Sequence, residues 1–180
     1  MASIPRVRIF GPDEWALYRE LRLAALADSP DAFGSTFARE SEFSDDEWAN
    51  RLASAVDSGN DHPVVAEIDG RGVGLAWGRI DGSGPAVARL YQVWVHPDHR
   101  SHGAGRMLLD SVVEWAREHQ ATFLELGVTC GNTPARHLYA TAGFEAFGLP
   151  QPIRSGAEAL SQAMRLDLHS VEDGGLPEER

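Results

Sequence analysis

Cysteine is almost absent from this chain, which has 180 residues and a single thiol, Cys130. One thiol excludes an internal disulfide framework and fits a reducing compartment. The first residues lack the apolar region of a signal peptide, and no uninterrupted apolar run approaches the ~18–20 residues that a membrane span needs. We therefore expect a cytoplasmic protein that has no membrane partner.

Positive charge is also scarce. Sixteen Lys and Arg face 27 Asp and Glu, so the formal net charge is −11 and the sequence pI is near 5.0. This balance disfavours a nucleic-acid partner, because counterion release needs a clustered cationic face. It favours cationic ligands such as amines. Many acidic proteins, however, bind no charged partner.

The composition is that of an ordinary globular protein, with 43% hydrophobic and 24% charged residues. The length suits one domain, and neither an internal repeat nor a dividing linker is visible. We predict a single domain over residues 1–170. The acidic segment 171–180, rich in Glu, Gly and Pro, is predicted to be a disordered tail.

Hydrophobic periodicity predicts a mixed order of strands and helices. We predict strands over 7–10, 63–68, 72–80, 86–95, 121–129, 144–147 and 162–168, and helices over 17–26, 44–56, 105–116 and 134–142. Because hairpins alternate with helical crossovers, the pattern favours an α/β fold of the α+β type, with a central mixed sheet of six to seven strands and helices on both faces.

Short signals place several of these elements. Ser44-Asp45-Asp46-Glu47 matches a capping box at the start of the second helix. Asp69-Gly70 between two strand-like runs is a strong hairpin signal. The last helix has Pro134 in its first turn and Gly143 beyond its end, the usual asymmetry of helix termini.

A glycine loop between a strand and a helix is the most informative segment. Val93-Trp94-Val95-His96-Pro97 leads through Asp98-His99-Arg100-Ser101-His102 to Gly103-Ala104-Gly105-Arg106. Free amides at a helix N-terminus bind anions, and Arg100 and Arg106 flank the loop. The alternative is a glycine turn that serves backbone geometry alone. The segment lacks the Gly-Lys-Ser/Thr of a Walker loop. Leu108 stands where the dinucleotide-binding fingerprint needs its third glycine, so the sequence fits neither kind of phosphate site.

The segment Arg100-Ser101-His102-Gly103-Ala104-Gly105 resembles the Arg/Gln-x-x-Gly-x-Gly/Ala signature of the GNAT superfamily of acyl-CoA-dependent N-acyltransferases. Val95-His96-Pro97 is similar to the Val-x-Pro that ends the central strand of that family. Asn132-Thr133-Pro134-Ala135-Arg136-His137-Leu138-Tyr139, followed by Gly143-Phe144, resembles a second family block. The two blocks occur in the family order, and the resemblance extends over residues 5–170.

The resemblance implies that acetyl-CoA lies in a cleft where the central strand splays from the next parallel strand. Backbone groups along β-strand residues Val93, Trp94 and Val95 would pair with the pantetheine arm, and Asn132 would contact the same arm. The pyrophosphate would be held by amides of the loop and by the charge of Arg100; the loop residues are Ser101, His102, Gly103, Ala104, Gly105 and Arg106. An N-cap of the following helix is the structural alternative for Asn132.

The resemblance assigns Tyr139 as the acid that protonates the departing CoA thiolate. A phenol can donate to a thiolate, and the alternative is a tyrosine that only packs in the core. The base stays open among Glu125, Glu67, Gln92 and a chain of waters. Phe33, in the loop 33–36 between the first two helices, is expected to wall the acceptor site, and Pro150-Gln151-Pro152 to close its other side.

Four further side chains suggest other chemistry. His96, His99 and His102 repeat every third residue, but Pro97 and the glycine turn oppose a helix there, so we expect no metal. Cys130 makes an acyl-cysteine route conceivable, although a lone thiol usually packs inertly.

Strand alternation predicts Tyr91 and Trp94 on opposite faces of their strand.

The function predicted from the sequence is acetyl transfer from acetyl-CoA to a primary amine of a small molecule or peptide, by direct attack in a ternary complex. The alternative is a GNAT-fold module that binds acyl-CoA or regulates without turnover. The family's habits also suggest a homodimer.

Overall fold

The structure, a computed structural model, describes residues 4–82 and 87–169. Its strands are β1 (Arg6–Ile9), β2 (Asp61–Ile68), β3 (Arg71–Ile80), β4 (Val87–Val95), β5 (Phe123–Thr129), β6 (Glu145–Pro152) and β7 (Leu160–Asp167). Its helices are α1 (Trp15–Asp28), α2 (Phe37–Glu40), α3 (Asp45–Ser58), α4 (Ala104–Glu118) and α5 (Thr133–Thr141), with a 3-10 turn over Pro97–His99.

The strands form one seven-stranded sheet in the order β1-β2-β3-β4-β5-β7-β6. β4 and β5 run parallel, joined by the crossover through α4, and the other neighbouring pairs are antiparallel. β2 and β3 meet at Asp69 and Gly70, whose φ angles of 51° and 77° fit the predicted hairpin. The predicted mixed sheet is confirmed.

Two hydrophobic cores cover the two faces of this sheet. On one face, Leu108, Leu109 and Val112 of α4 are fully buried against the sheet in one cluster of apolar side chains. On the other face, Tyr18 of α1 and Trp48 of α3 belong to a second cluster. Alternation within each strand separates the two sets. The predicted helices on both faces are therefore present.

The capping box at α3 is confirmed in detail. The Ser44 hydroxyl accepts a hydrogen bond from the Glu47 amide at 3.2 Å, and the Glu47 carboxylate accepts one from the Ser44 amide at 2.7 Å. The sequence missed α2, a single turn over 37–40 capped by Thr36, which is too short to show periodicity.

The largest difference from the predicted boundaries is in β6, which continues to Pro152 where we expected a strand to end at 147. β6 is an edge strand, and its register against β7 shifts between Phe147 and Gln151. Prolines are tolerated at edges and bulges, because no ladder hydrogen bond is lost there. The predicted tail, residues 171–180, lies outside the described residues, as does Ala86.

Candidate functional site

A cleft opens in the middle of the sheet, between β4 and β5. Among the described residues, the two strands pair at three positions, the last being Arg89 with Glu125, and beyond them they separate. Residues 90–93 of β4 and 126–129 of β5 line a cavity of about 1140 Å³, whereas Trp94 and Val95 are not among its described lining residues. The splayed geometry expected from the sequence resemblance is thus present, and it leaves backbone groups of both strands facing the opening.

A β-bulge in β4 shapes one wall of this cleft. Gln92 has a φ of 58°, a conformation that costs energy in a non-glycine residue, and the register against β3 shifts at this point. As a result, Tyr91 pairs with Trp77 and Trp94 pairs with Leu75. Cross-strand partners share a face, so Tyr91 and Trp94 lie on the same face of the sheet. The prediction of opposite faces was wrong because the bulge adds a residue to β4.

The glycine loop leads directly into α4. Ser101 and Gly103 have positive φ angles of 64° and 86°, and α4 begins at Ala104 immediately after Gly103. The first-turn amides of a helix have no acceptor within the helix, so they are available to an anion. Gly105 is different: a Cβ there would meet Leu138 at 3.7 Å and Val95 at 3.8 Å, which is ordinary contact. The packing of the chain therefore does not require glycine at 105.

The two arginines of the loop are both ion-paired. The Arg100 guanidinium donates to Asp28 at 2.5 Å and to the Val95 carbonyl at 2.9 Å, while Arg106 donates to Asp110 at 2.8 Å. Burial opposes ionisation of Asp28, but hydrogen bonds from Trp94, Ser29 and Arg100 outweigh it and lower the pKa of this carboxyl. Asp28 thus ties the loop to the C-terminal end of α1.

Tyr139 and Asn132 lie on the far side of the cleft, at α5, and both line it. The Asn132 side chain accepts from the Ala135 amide at 3.2 Å, so the N-cap interpretation is confirmed. Tyr139 is buried and packs on Phe144, with ring centroids 5.8 Å apart. Burial raises the pKa of its hydroxyl above the ordinary value of 10. The phenol therefore stays protonated at neutral pH.

The side chains weighed as a base are separated by the fold. Glu125 lines the cleft but accepts from the Nε of Arg165 at 2.9 Å, so its charge is already paired. Glu67 accepts from Arg8 on β1, and the described lining of the cleft does not include it. Gln92 lines the cleft and accepts from the Tyr18 hydroxyl at 3.0 Å.

Cys130 and the three histidines of the sequence analysis, His96, His99 and His102, are not among the described residues that line the cleft. His96 and His99 have ring centroids 5.8 Å apart. Across residues 4–82 and 87–169, no group of three or more His, Cys, Asp or Glu side chains is arranged to hold a metal ion.

The end of the cleft where the resemblance predicts the acceptor, here called the acceptor end, is formed by the loop 29–36 and by the connection between β6 and β7. Arg154 donates to the carbonyls of Pro30 and Phe33 at 3.1 and 3.0 Å, and the Thr129 hydroxyl donates to the Asp31 carbonyl at 2.6 Å. These bonds fasten the loop to β5 and to the β6–β7 connection. Phe33 lines the cleft, as do Gln151 and Pro152.

Three charged residues at this end were missed by the sequence analysis. Arg22 on α1 donates to Glu40 on α2 through two hydrogen bonds of 2.9 and 2.7 Å, and Arg51 on α3 approaches the same carboxylate at 3.4 Å. All three line the cleft. The available signal was a charged side chain, Arg22, at a position of α1 where helical periodicity demands an apolar residue.

Within the described chain, none of the helices has both the length and the apolar character that crossing a membrane would require.

Comparison with known proteins extends these findings. A family model described as the acetyltransferase (GNAT) family matches residues 20–144. The L-2,4-diaminobutyric acid acetyltransferase of Nocardia farcinica is 32% identical over 77 residues, which are 43% of this chain and 40% of that protein. The streptothricin acetyltransferase of Streptomyces lavendulae is 42% identical over 67 residues, or 37% of this chain and 35% of that protein. The matches thus span well under half of both relatives.

A solved structure, yncA from Salmonella typhimurium with its cofactor acetyl-CoA, superposes with a TM-score of 0.74. The match covers 93% of this chain and 96% of that one at 22% identity, so it is a likeness of fold.

Proposed function

Because this chain belongs to the GNAT family of acetyltransferases, we propose that it transfers an acetyl group from acetyl-CoA to a primary amine of a small molecule or peptide. The observation that carries this proposal is the shared cleft. The separation of β4 from β5 places the β4 backbone and Tyr139 around one cavity. The N-terminus of α4 follows β4 directly, which suits a ligand with an extended arm and a charged pyrophosphate.

The residues present fit acetyl-CoA, which would supply the activated acyl group. In our proposal, backbone groups of Val93 to Val95 hold the arm. Trp94 would contribute through its backbone, because its side chain is buried on the sheet and donates to Asp28 at 2.9 Å. Asn132 would keep its capping bond and contact the arm as well.

The amides of residues 101–106 would hold the pyrophosphate. Gly105 supports this assignment, because its contacts with the described residues leave room for a side chain there, whereas a closely approaching ligand would exclude one. Arg100 would add charge only by sharing or leaving its bond to Asp28. In this proposal, backbone amides therefore make most of the contacts with the pyrophosphate. The two arginines stabilise the loop through their ion pairs with Asp28 and Asp110.

Tyr139 would be the proton donor. Its buried hydroxyl stays protonated in the cleft, where it can donate to a departing thiolate. Cys130 is not among the described residues that line the cleft. Its position supports direct attack by the amine in a ternary complex over an acyl-cysteine route.

The alternative, a module that binds acyl-CoA without turnover, is favoured by one observation. The carboxylates that line the described cleft each face an arginine: Glu40 faces Arg22, Asp61 faces Arg79 and Glu125 faces Arg165. Carboxylate oxygens that already accept hydrogen bonds from an arginine have less capacity left to accept a proton from an amine. A catalytic chain would therefore need water to take the proton from the amine.

An acceptor screen that measures CoA release from acetyl-CoA tests the proposal. The sequence contains no lysine, so acetylation of the protein's own side-chain amines adds no background. We expect Tyr139→Phe to bind acetyl-CoA normally and to lose about 10²- to 10⁴-fold in kcat. Tyr91→Phe, which removes the hydroxyl of a half-exposed tyrosine that lines the same cleft, is the matched variant and should keep its turnover.

Full turnover in Tyr139→Phe would remove the acid role. Binding of acetyl-CoA without transfer to any amine of a broad panel would instead establish the module.

A further inference from the structure

The three charged residues Arg22, Glu40 and Arg51, here called the arginine cluster, form part of the acceptor end of the cleft. They come from three different helices, α1, α2 and α3. The Glu40 carboxylate is shared between the two guanidinium groups, with its short bonds to Arg22 and its long one to Arg51. The structural role of Glu40, joining the helices, uses only part of the hydrogen-bonding capacity of the two arginines.

Arg22 is buried, with 4% of its side chain exposed, and one of its nitrogens, Nη1, has no hydrogen-bond partner among the described residues. Its guanidinium lies over the ring of Phe33, 4.9 Å from the centroid. A buried charged donor without an acceptor is costly. The fold retains this donor at the wall of a cavity, where a ligand could supply the missing hydrogen-bond acceptor.

Arg51 is more accessible, with 34% of its side chain exposed. Its contact to Glu40, at 3.4 Å, is long for a hydrogen bond. Its guanidinium lies 5.7–5.9 Å from the ring centroids of Tyr18, Trp48 and Trp77, so aromatic surface replaces water on several sides. A guanidinium with five donors and, among the described residues, one distant acceptor is ready to bind an anion from the cleft.

The charge of the cluster has a definite sign. Burial opposes ionisation of Glu40, but the hydrogen bonds and charge of Arg22, with help from Ser35 and Arg51, outweigh it and lower the pKa of this carboxyl. Glu40 is therefore ionised, and the cluster carries two positive charges against one negative. In a protein with a net charge of −11, this is a local cationic site.

We propose that Arg51, supported by Arg22, binds a carboxylate of the acceptor, so that the acceptor is an amino acid or a similar amine that carries a carboxylate. The single excess positive charge matches a monoanion, and the planar guanidinium fork matches the geometry of a carboxylate. The acidic composition favoured cationic ligands such as amines, and the arginine cluster adds a local site for a negative group on the same acceptor. This inference rests on the proposed acetyl transfer.

Pairs of acceptors that differ only in the carboxylate provide the test. L-methionine is compared with 3-methylthiopropylamine, L-phenylalanine with phenylethylamine, and L-2,4-diaminobutyrate with 1,3-diaminopropane, each by CoA release. We expect the amino acid of at least one pair to have a kcat/KM about 10- to 100-fold higher than its amine, the range for hydrogen bonds to a charged group. Equal values, or a preference for the amines in all pairs, would overturn the proposal.

Substitution of Arg51 separates recognition from folding. Arg51→Met keeps the aliphatic stem, and it should raise KM for the amino acid about 10- to 100-fold while leaving KM for the paired amine unchanged. Arg51→Lys should restore part of the preference, because it keeps the charge and loses the fork. The control Arg19→Met removes the ion pair of Arg19 with Asp45 on α1 and α3, outside the described lining of the cleft. An equal loss for both members of a pair in Arg51→Met would contradict a carboxylate site.

Failure of this inference differs from failure of the proposed function. If spermidine or another amine without a carboxylate is acetylated while the amino acids neither react nor bind, the enzyme stands and the carboxylate site falls. If nothing is acetylated, calorimetry with the same amino acids in the presence of CoA still gives an answer. Binding that is lost in Arg51→Met supports the site, and no binding to the wild type overturns it.

Discussion

His62 on β2 should make this protein lose stability in mild acid. Its ring stacks on Trp115 with centroids 5.3 Å apart, and its Nε2 is 3.1 Å from the Ser111 hydroxyl. Burial, with a smaller contribution from the charge of His119, lowers the pKa of His62 from 6.5 to about 4. The folded protein therefore keeps this imidazole neutral over a range in which the unfolded chain protonates it.

The sign and size of the effect follow from that difference. Because the folded pKa is lower, the contribution of His62 is complete above pH 6.5 and is lost as the pH falls towards 4. At about 1.4 kcal/mol for each pKa unit, the loss amounts to about 2 kcal/mol at pH 5 and approaches about 3 kcal/mol below pH 4. For a domain of this length, 2 kcal/mol lowers Tm by about 4–8 °C.

Urea unfolding at pH 7 and pH 5 measures this, with His62→Gln and His137→Gln as the paired variants. His62→Gln should be less stable than the wild type at pH 7, but it should lose about 2 kcal/mol less between the two pH values. His137→Gln, which removes an exposed imidazole from α5, should follow the wild type. If the wild type and His62→Gln lose the same free energy of unfolding, the reasoning is refuted.

Two glycines of β3 give the remaining predictions. A Cβ at Gly78 would lie 2.8 Å from Trp115 and 2.9 Å from Val112, so Gly78→Ala should cost about 1–3 kcal/mol in urea unfolding through overpacking. A Cβ at Gly74 would lie 2.6 Å from the Trp94 carbonyl oxygen, which cannot rotate away. Gly74→Ala should therefore displace β4, lower Tm and raise KM for acetyl-CoA. Gly82→Ala, where a Cβ meets no atom within 4 Å, is the control for both and should leave Tm and KM unchanged.

Local signals in the sequence were enough to predict most of the fold. The Ser44 capping box and the Asp69-Gly70 hairpin depend on neighbouring residues, and so does the helix that ends before Gly143. The order of strands and helices then restricted the topology to a mixed sheet. The glycine loop was recognisable for the same reason, because the amides of the proposed pyrophosphate site belong to consecutive residues.

The features that escaped the sequence depend on distant partners. Arg22 and Glu40 are 18 positions apart, and their pairing becomes visible only when α1 and α2 are packed. The bulge at Gln92 depends on how β4 fits against β3, and a simple alternation of side chains could not anticipate it. The ion pair between Arg100 and Asp28 joins residues 72 positions apart. The expected homodimer and cytoplasmic location stay predictions.

The separation of β4 from β5 changes the number of strand edges that the sheet exposes. The two edge strands, β1 and β6, expose unpaired backbone groups that another chain could pair with. Proteins limit such edge-to-edge association with short edge strands, charged side chains or proline. The four-residue β1 and the prolines of β6 have these properties. The separation of β4 from β5 creates two further edges within the sheet, which face each other across the cleft. There the unpaired backbone groups line a cleft, and in our proposal they would pair with the extended arm of acetyl-CoA in the way that a sheet edge pairs with an added strand.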